Sequence, residues 1–87
     1  HQQADVYLAK RWAVKEAVVK AFGSGFTGGI RWREIACSND PNGAPRVILL
    51  GQTRTQLQTR WQCAHIFISI TDEADLAMAF CIIANQK

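Results

Sequence analysis

From Val6 to Phe22 the chain carries neither Gly nor Pro, and Ala recurs every four residues at Ala9, Ala13, Ala17 and Ala21. This pattern predicts a long α-helix with Asp5 as its N-cap, ended by Gly23-Ser24-Gly25. The stretch Ile30 to Cys37 favours a strand, but Trp32 followed by Ile35 breaks strict alternation and predicts a bulge or kink near Arg33. Asn39-Asp40-Pro41-Asn42-Gly43 is a dense turn signal, after which Pro45 to Leu50 predicts a second strand and completes a hairpin. Gly51 to Trp61 is polar, with Leu57 and Trp61 four residues apart, as in a short helix with one narrow apolar stripe. Between Ala64 and Thr71, Ile66, Ile68 and Ile70 alternate with His65, Phe67 and Ser69, whereas Leu76 to Ala84 is apolar on both faces. The acidic stretch Asp72-Glu73-Ala74-Asp75 joins them as a second hairpin.

The expected fold is therefore α+β: a long basic helix packed on an antiparallel sheet of two hairpins, with a second short helix, in a single domain spanning residues 1–87. The very apolar last strand predicts a face covered by something else, such as another subunit. Composition agrees with a globular chain, at 48% hydrophobic and 20% charged residues. At 87 residues the core is marginal, so self-association would add useful burial.

Charge changes the picture by its location. Ten Lys and Arg against seven Asp and Glu give +3, and the segment Val6 to Phe22 alone holds Lys10, Arg11, Lys15 and Lys20 against Glu16. Such a face suits phosphate groups, an acidic protein or nucleic acid, and equally a solvated surface. The near balance over the remaining chain argues against nucleic acid. Three cysteines with no C-x-x-C pair predict reduced, buried thiols and a cytoplasmic location. No apolar run approaches the roughly 20 residues of a membrane-spanning helix. The chain begins without Met, as a trimmed chain or the remainder of a longer protein would.

Trp12, Glu16 and Lys20 lie four residues apart, and each step turns only about 40° around a helix, so they share one stripe. As a bare acid and amine they read as a surface ion pair worth about 0.3–0.5 kcal/mol. As a site they read as a carboxylate for a hard cation beside an ammonium for a phosphate oxygen. His65 has no nucleophile or acid at a convincing distance in the chain and reads as structural. Trp32 and Trp61 read as core or interface, and the glycines at 23, 25, 28 and 29 form no P-loop because no G-K-[ST] follows.

The string from Tyr7 to Gly25 resembles the signature helix of the holo-acyl-carrier-protein synthases, small 4'-phosphopantetheinyl transferases. Its W-x-x-K-E-A-x-x-K-A core is matched at Trp12, Lys15, Glu16, Ala17, Lys20 and Ala21. Asp40-Pro41-Asn42-Gly43-Ala44-Pro45 is similar to the family's D-x-x-G-K-P turn, and Ile68 to Glu73 followed by Ala77-Met78-Ala79 to its closing hairpin. The resemblance implies a cytoplasmic transferase of fatty acid biosynthesis that moves the phosphopantetheine arm of coenzyme A to a serine of an acyl carrier protein and releases 3',5'-ADP. It implies Glu16 as a Mg²⁺ ligand and Lys20 at the transferring phosphate, both catalytic. It also implies Arg11, Lys20, Gly23, Asn42 and Pro45 along the coenzyme A cleft, and a homotrimer with clefts between subunits.

Three departures stand out. The family's opening strand, with a G-x-D motif whose Asp is the other metal ligand, precedes the point where this sequence starts, so the domain is expected to be truncated at its N-terminus and its activity impaired. Ala44 replaces the lysine of G-K-P, and Asp72 stands where many relatives carry His. The alternative expectation is a non-catalytic module of the same fold that binds coenzyme A, an acyl carrier protein or its own copies.

Overall fold

A computed structural model describes residues 3–23, 28–73 and 76–85. Helix α1 runs Gln3–Phe22, a single 3₁₀ turn follows at Trp32–Glu34, strands β1 (Ile35–Asn39) and β2 (Pro45–Leu49) form the first hairpin, and α2 spans Gly51–Arg60. Strands β3 (Ala64–Glu73) and β4 (Leu76–Asn85) form the second hairpin. Each hairpin is its own antiparallel two-stranded sheet, and β2 runs beside β3.

Helix α1 buries Val14, Val18 and Phe22, one turn apart each, together with Val19, and lies chiefly along β4. Ile30, Ile35 and Leu49 complete the core, with Ile66, Ile68, Ile70, Ala79, Cys81 and Ile83 packed against it from the long hairpin. Each fully buried Val, Ile or Phe contributes on the order of 1.5–3 kcal/mol, so this small cluster is the main fastening between helix and strands.

The first hairpin turns because the Asp40 carboxylate accepts backbone N–H bonds from Asn42 and Ala44, each at 2.9 Å, while Gly43 takes the left-handed conformation at φ +86°. The register then pairs Asn39 with Pro45 and Ile35 with Leu49. Just past β2, Glu34 reaches α2 and accepts from the backbone N–H groups of Gln52 (3.1 Å) and Thr53 (3.0 Å) and from the Thr53 hydroxyl (2.9 Å). The fully buried Thr53 oxygen in turn accepts the Arg31 N–H at 2.8 Å. At the far end of the same helix, Arg60 Nη1 donates to the Phe22 carbonyl at 2.9 Å, capping α1 from outside it. Trp61 packs edge-on against the Phe22 ring.

Several sequence expectations are corrected here. Helix α1 already includes Gln3, so Asp5 lies within its first turn rather than at its cap. The strand expected over Ile30 to Cys37 begins only at Ile35, because the turn at Trp32–Glu34 aims Trp32 at α1 and Glu34 at α2. The link Asp72-Glu73-Ala74-Asp75 is shorter than expected, since β3 continues through Glu73; residues 74 and 75, like Ser24 and Gly25, lie outside the described residues. Of the thiols, Cys37 and Cys81 are half-buried but Cys63 is exposed, at the loop that leads into β3.

Candidate active site

Helix α1 presents two different flanks to two different grooves. At about 100° of rotation per residue, Lys10, Arg11 and Val14 face one way and Glu16, Val19 and Lys20 roughly half a turn away. The first group borders a groove of about 310 Å³, closed on its other sides by Pro45, Arg46 and Asp72 among others. The second borders an open hollow of about 520 Å³ lined by Trp12, Glu16, Val19, Lys20 and Trp32.

In the hollow, the Glu16 carboxylate and the Lys20 amine stand on successive turns of the same stripe, as their spacing predicts. Trp12 Nε1 donates to Glu16 Oε1 at 2.8 Å, so the acid is held by the indole one turn before it. The Trp12 ring rests on Trp32, ring centres 4.7 Å apart and tilted by 56°. Lys15 fixes Trp32 from the helix side: its Nζ donates to the Trp32 carbonyl at 3.2 Å and lies 5.5 Å from the ring centre. Glu16 Oε2 is a hard oxygen donor, and Lys20 supplies a positive charge on the same lining; among the described residues Glu16 is the sole carboxylate lining this hollow. Among the described residues no three His, Cys, Asp or Glu side chains gather into a metal cage.

The groove on the opposite flank is cationic. Lys10, Arg11 and Arg46 line it, with Asp72 as counter-charge; Lys10 Nζ sits 3.2 Å from Asp72 Oδ2. Ala44, which replaces the expected lysine, is exposed at the neighbouring turn, and Arg46 lies two residues on, with its charge in the groove. Cys37 also borders this space; burial pushes its thiol up, against the downward pull of Arg11 and Lys15. Burial likewise raises Cys81 to about 11, so neither half-buried thiol is a ready nucleophile at neutral pH.

The expected site residues thus divide between the hollow and the groove. Glu16 and Lys20 meet in the hollow, and Gly23, at φ +80° with its N–H bonded to the Lys20 carbonyl at 3.0 Å, ends α1 just beyond them. Arg11 and Pro45 meet in the cationic groove, with Asn42 exposed at the tip of the adjacent turn. Sequence reasoning missed Arg46 and the part Trp32 plays beside the acid. Arg46 was open to discovery from its place next to Pro45 in a turn already singled out. The use of Trp32 depends on a contact across 20 residues, which local pattern does not encode.

Comparison with known proteins identifies the family of the chain. The family profile described as the 4'-phosphopantetheinyl transferase superfamily matches residues 1–81. The chain is 40% identical over 87 residues to the holo-[acyl-carrier-protein] synthase of Hydrogenovibrio crunogenus, covering all of this chain and 68% of that protein. It is 42% identical over 85 residues to the enzyme of the same name from Citrobacter koseri, covering 98% of this chain and 67% of that one. It therefore spans about two thirds of the length of these relatives. Among solved structures, the apo holo-acyl-carrier-protein synthase of Chronobacterium ammoniagenes superposes with a TM-score of 0.75 at 30% identity, over 93% of this chain and 67% of that one. The coenzyme A complex from that organism gives 0.74 at 29%, over 93% and 65%. On the matched profile, the curated relatives and the shared fold, the chain belongs to the 4'-phosphopantetheinyl transferase superfamily.

Proposed function

We propose that the chain transfers 4'-phosphopantetheine from coenzyme A to a serine of an acyl carrier protein, in a cytoplasmic homotrimer. The observation that carries this reading is the pairing of Glu16 and Lys20 on one stripe beside a hollow, in a chain whose curated relatives are named for that activity. In the reaction the serine oxygen bonds to the phosphorus next to pantetheine, the bond from that phosphorus to the bridging oxygen breaks, and 3',5'-ADP leaves with the electron pair. Lys20 neutralises charge on the transferring phosphoryl group, and the serine proton passes to water or to a phosphate oxygen of the departing 3',5'-ADP. Gly23 lets the end of α1 approach the diphosphate closely.

Mg²⁺ bound at Glu16 would supply charge neutralisation on the diphosphate oxygens. The donor chemistry suits it, because Glu16 borders the hollow, Trp12 engages one of its two carboxylate oxygens and leaves the other for a cation, and Mg²⁺ ordinarily brings waters and phosphate oxygens of its own. With one carboxylate among the described lining residues, a high Mg²⁺ concentration is expected to be needed.

Two features support the trimer. Three of the five expected ligands of coenzyme A, Arg11, Asn42 and Pro45, lie on the side of α1 away from their own Glu16, so a cleft between copies would join that side of one to the Glu16 and Lys20 side of the next. The outer face of β3 and β4 is an uncovered apolar surface of the kind that marks an interface.

The test is to incubate the chain with coenzyme A, Mg²⁺ and an apo acyl carrier protein and weigh the carrier. The expected result is the mass gain of one phosphopantetheine, reduced about 100-fold or more in rate by Glu16→Gln or Lys20→Ala. A folded chain that coenzyme A stabilises against heat, yet leaves the carrier unmodified, would establish the second reading, a non-catalytic binding module. That reading is favoured by the presence of one carboxylate among the described residues that line the hollow.

A further inference from the structure

The signature spacing explains why Glu16 and Lys20 share a stripe, but not why the Glu16 carboxylate is hydrogen-bonded to the indole of Trp12. A glutamate on an exposed helix face samples many rotamers and loses that freedom when it binds a cation. Here the rotamer is selected beforehand by a chain of contacts outside the acid itself. Lys15 holds Trp32 through the carbonyl bond at 3.2 Å and the ring contact at 5.5 Å. Trp32 holds the Trp12 ring at 4.7 Å, and Trp12 donates its indole N–H to Glu16 Oε1 at 2.8 Å. Trp12 is 61% exposed, so burial alone does not account for a tryptophan at this position.

We infer that Trp12 is a positioning residue for the Glu16 carboxylate, with Trp32 as its backstop. The indole occupies one oxygen and leaves the other for a cation at the hollow that Glu16 lines, which prepays the ordering of the acid before a divalent cation arrives. This rests on the reading of Glu16 as the cation's ligand given above. It also assigns Trp32, delivered by the 3₁₀ turn, a use beyond packing.

The experiment titrates Mg²⁺ into the coenzyme A-saturated full chain and follows heat release, for the unsubstituted protein and for Trp12→Phe, Glu16→Gln and the double variant. Trp12→Phe keeps a ring against Trp32 and removes only the donor. Its Mg²⁺ affinity is expected to fall about 3- to 10-fold, with a thermal midpoint close to that of the parent. Glu16→Gln is expected to lose Mg²⁺ binding, and adding Trp12→Phe to it to change nothing further. Should Glu16→Gln weaken Mg²⁺ binding while Trp12→Phe binds as the parent does, the positioning role is overturned and the ligand role of Glu16 stands. If Glu16→Gln binds Mg²⁺ like the parent, both fall together. A second measurement avoids substitution altogether: in protein carrying ¹⁵N-labelled tryptophan, the Trp12 indole N–H resonance is expected to move on adding Mg²⁺ with coenzyme A while that of Trp61 stays in place, and a stationary Trp12 signal would overturn the inference.

Discussion

At the start of α2 the backbone N–H groups of Gln52 and Thr53 point at a carboxylate that belongs to another element, Glu34. Charge-assisted bonds of this kind favour the ionised acid, and the Thr53 N–H foremost among them holds Glu34 below the ordinary value of 4.5, against an opposing effect of burial. A carboxylate with a lowered folded-state pKa adds stability that is in place above its unfolded value and disappears as pH falls through the folded one. Glu34→Gln is therefore expected to destabilise the protein at neutral pH, and the gap between variant and parent in urea midpoint should close as the pH is lowered below about 4.5. A gap that stays constant with pH would mean that the bonds, rather than the charge, carry the effect. Nothing near Glu34 in the chain discloses this role, because the amides it caps come 18 and 19 residues later.

Among the elements, the hairpins and both helices follow from local pattern, for reasons visible in the structure. Asp40, Asn42 and Gly43 make their turn with their own backbone, and the strand alternation of Ile66, Ile68 and Ile70 has a core to face. The 3₁₀ turn at Trp32–Glu34 could not be read in the same way, since long-range partners on α1 and α2 override strand propensity there. The site was legible to the same extent: Glu16 and Lys20 share a helix and so share a hollow, whereas Arg11 and Pro45 needed the fold to bring them together. Gly51 shows how tightly the second helix is seated. It sits at φ +53°, and an added Cβ would run into the Glu34 carboxylate. Gly51→Ala is expected to cost about 1–3 kcal/mol through backbone strain and the displaced cap, measurable as a lowered urea midpoint. Gly43→Ala also meets a left-handed φ but open space around it, so its cost should be the smaller of the two.

At the scale of the whole molecule, the register of the long hairpin sorts its side chains into two faces. Cys81, Ile83 and Ala79 turn toward α1, while Phe67, Met78, Phe80 and Ile82 form the other face, with Phe80 67% and Ile82 62% exposed. Leaving so much aromatic and aliphatic surface in water is costly for a chain of this size. If this face joins copies, sedimentation of the parent should give a trimer, and the Phe80→Asp, Ile82→Asp variant a folded monomer whose carrier-modifying activity has fallen with its assembly. A parent that sediments as a monomer at micromolar concentration would remove the trimer from the scheme. The contact from Arg60 to the Phe22 carbonyl has a quieter consequence. Because the closing turn of α1 is tied off from α2, loss of that tie is expected to be felt at the turn bearing Lys20, and Arg60→Ala should lower the hydrogen-exchange protection of the last amides of α1.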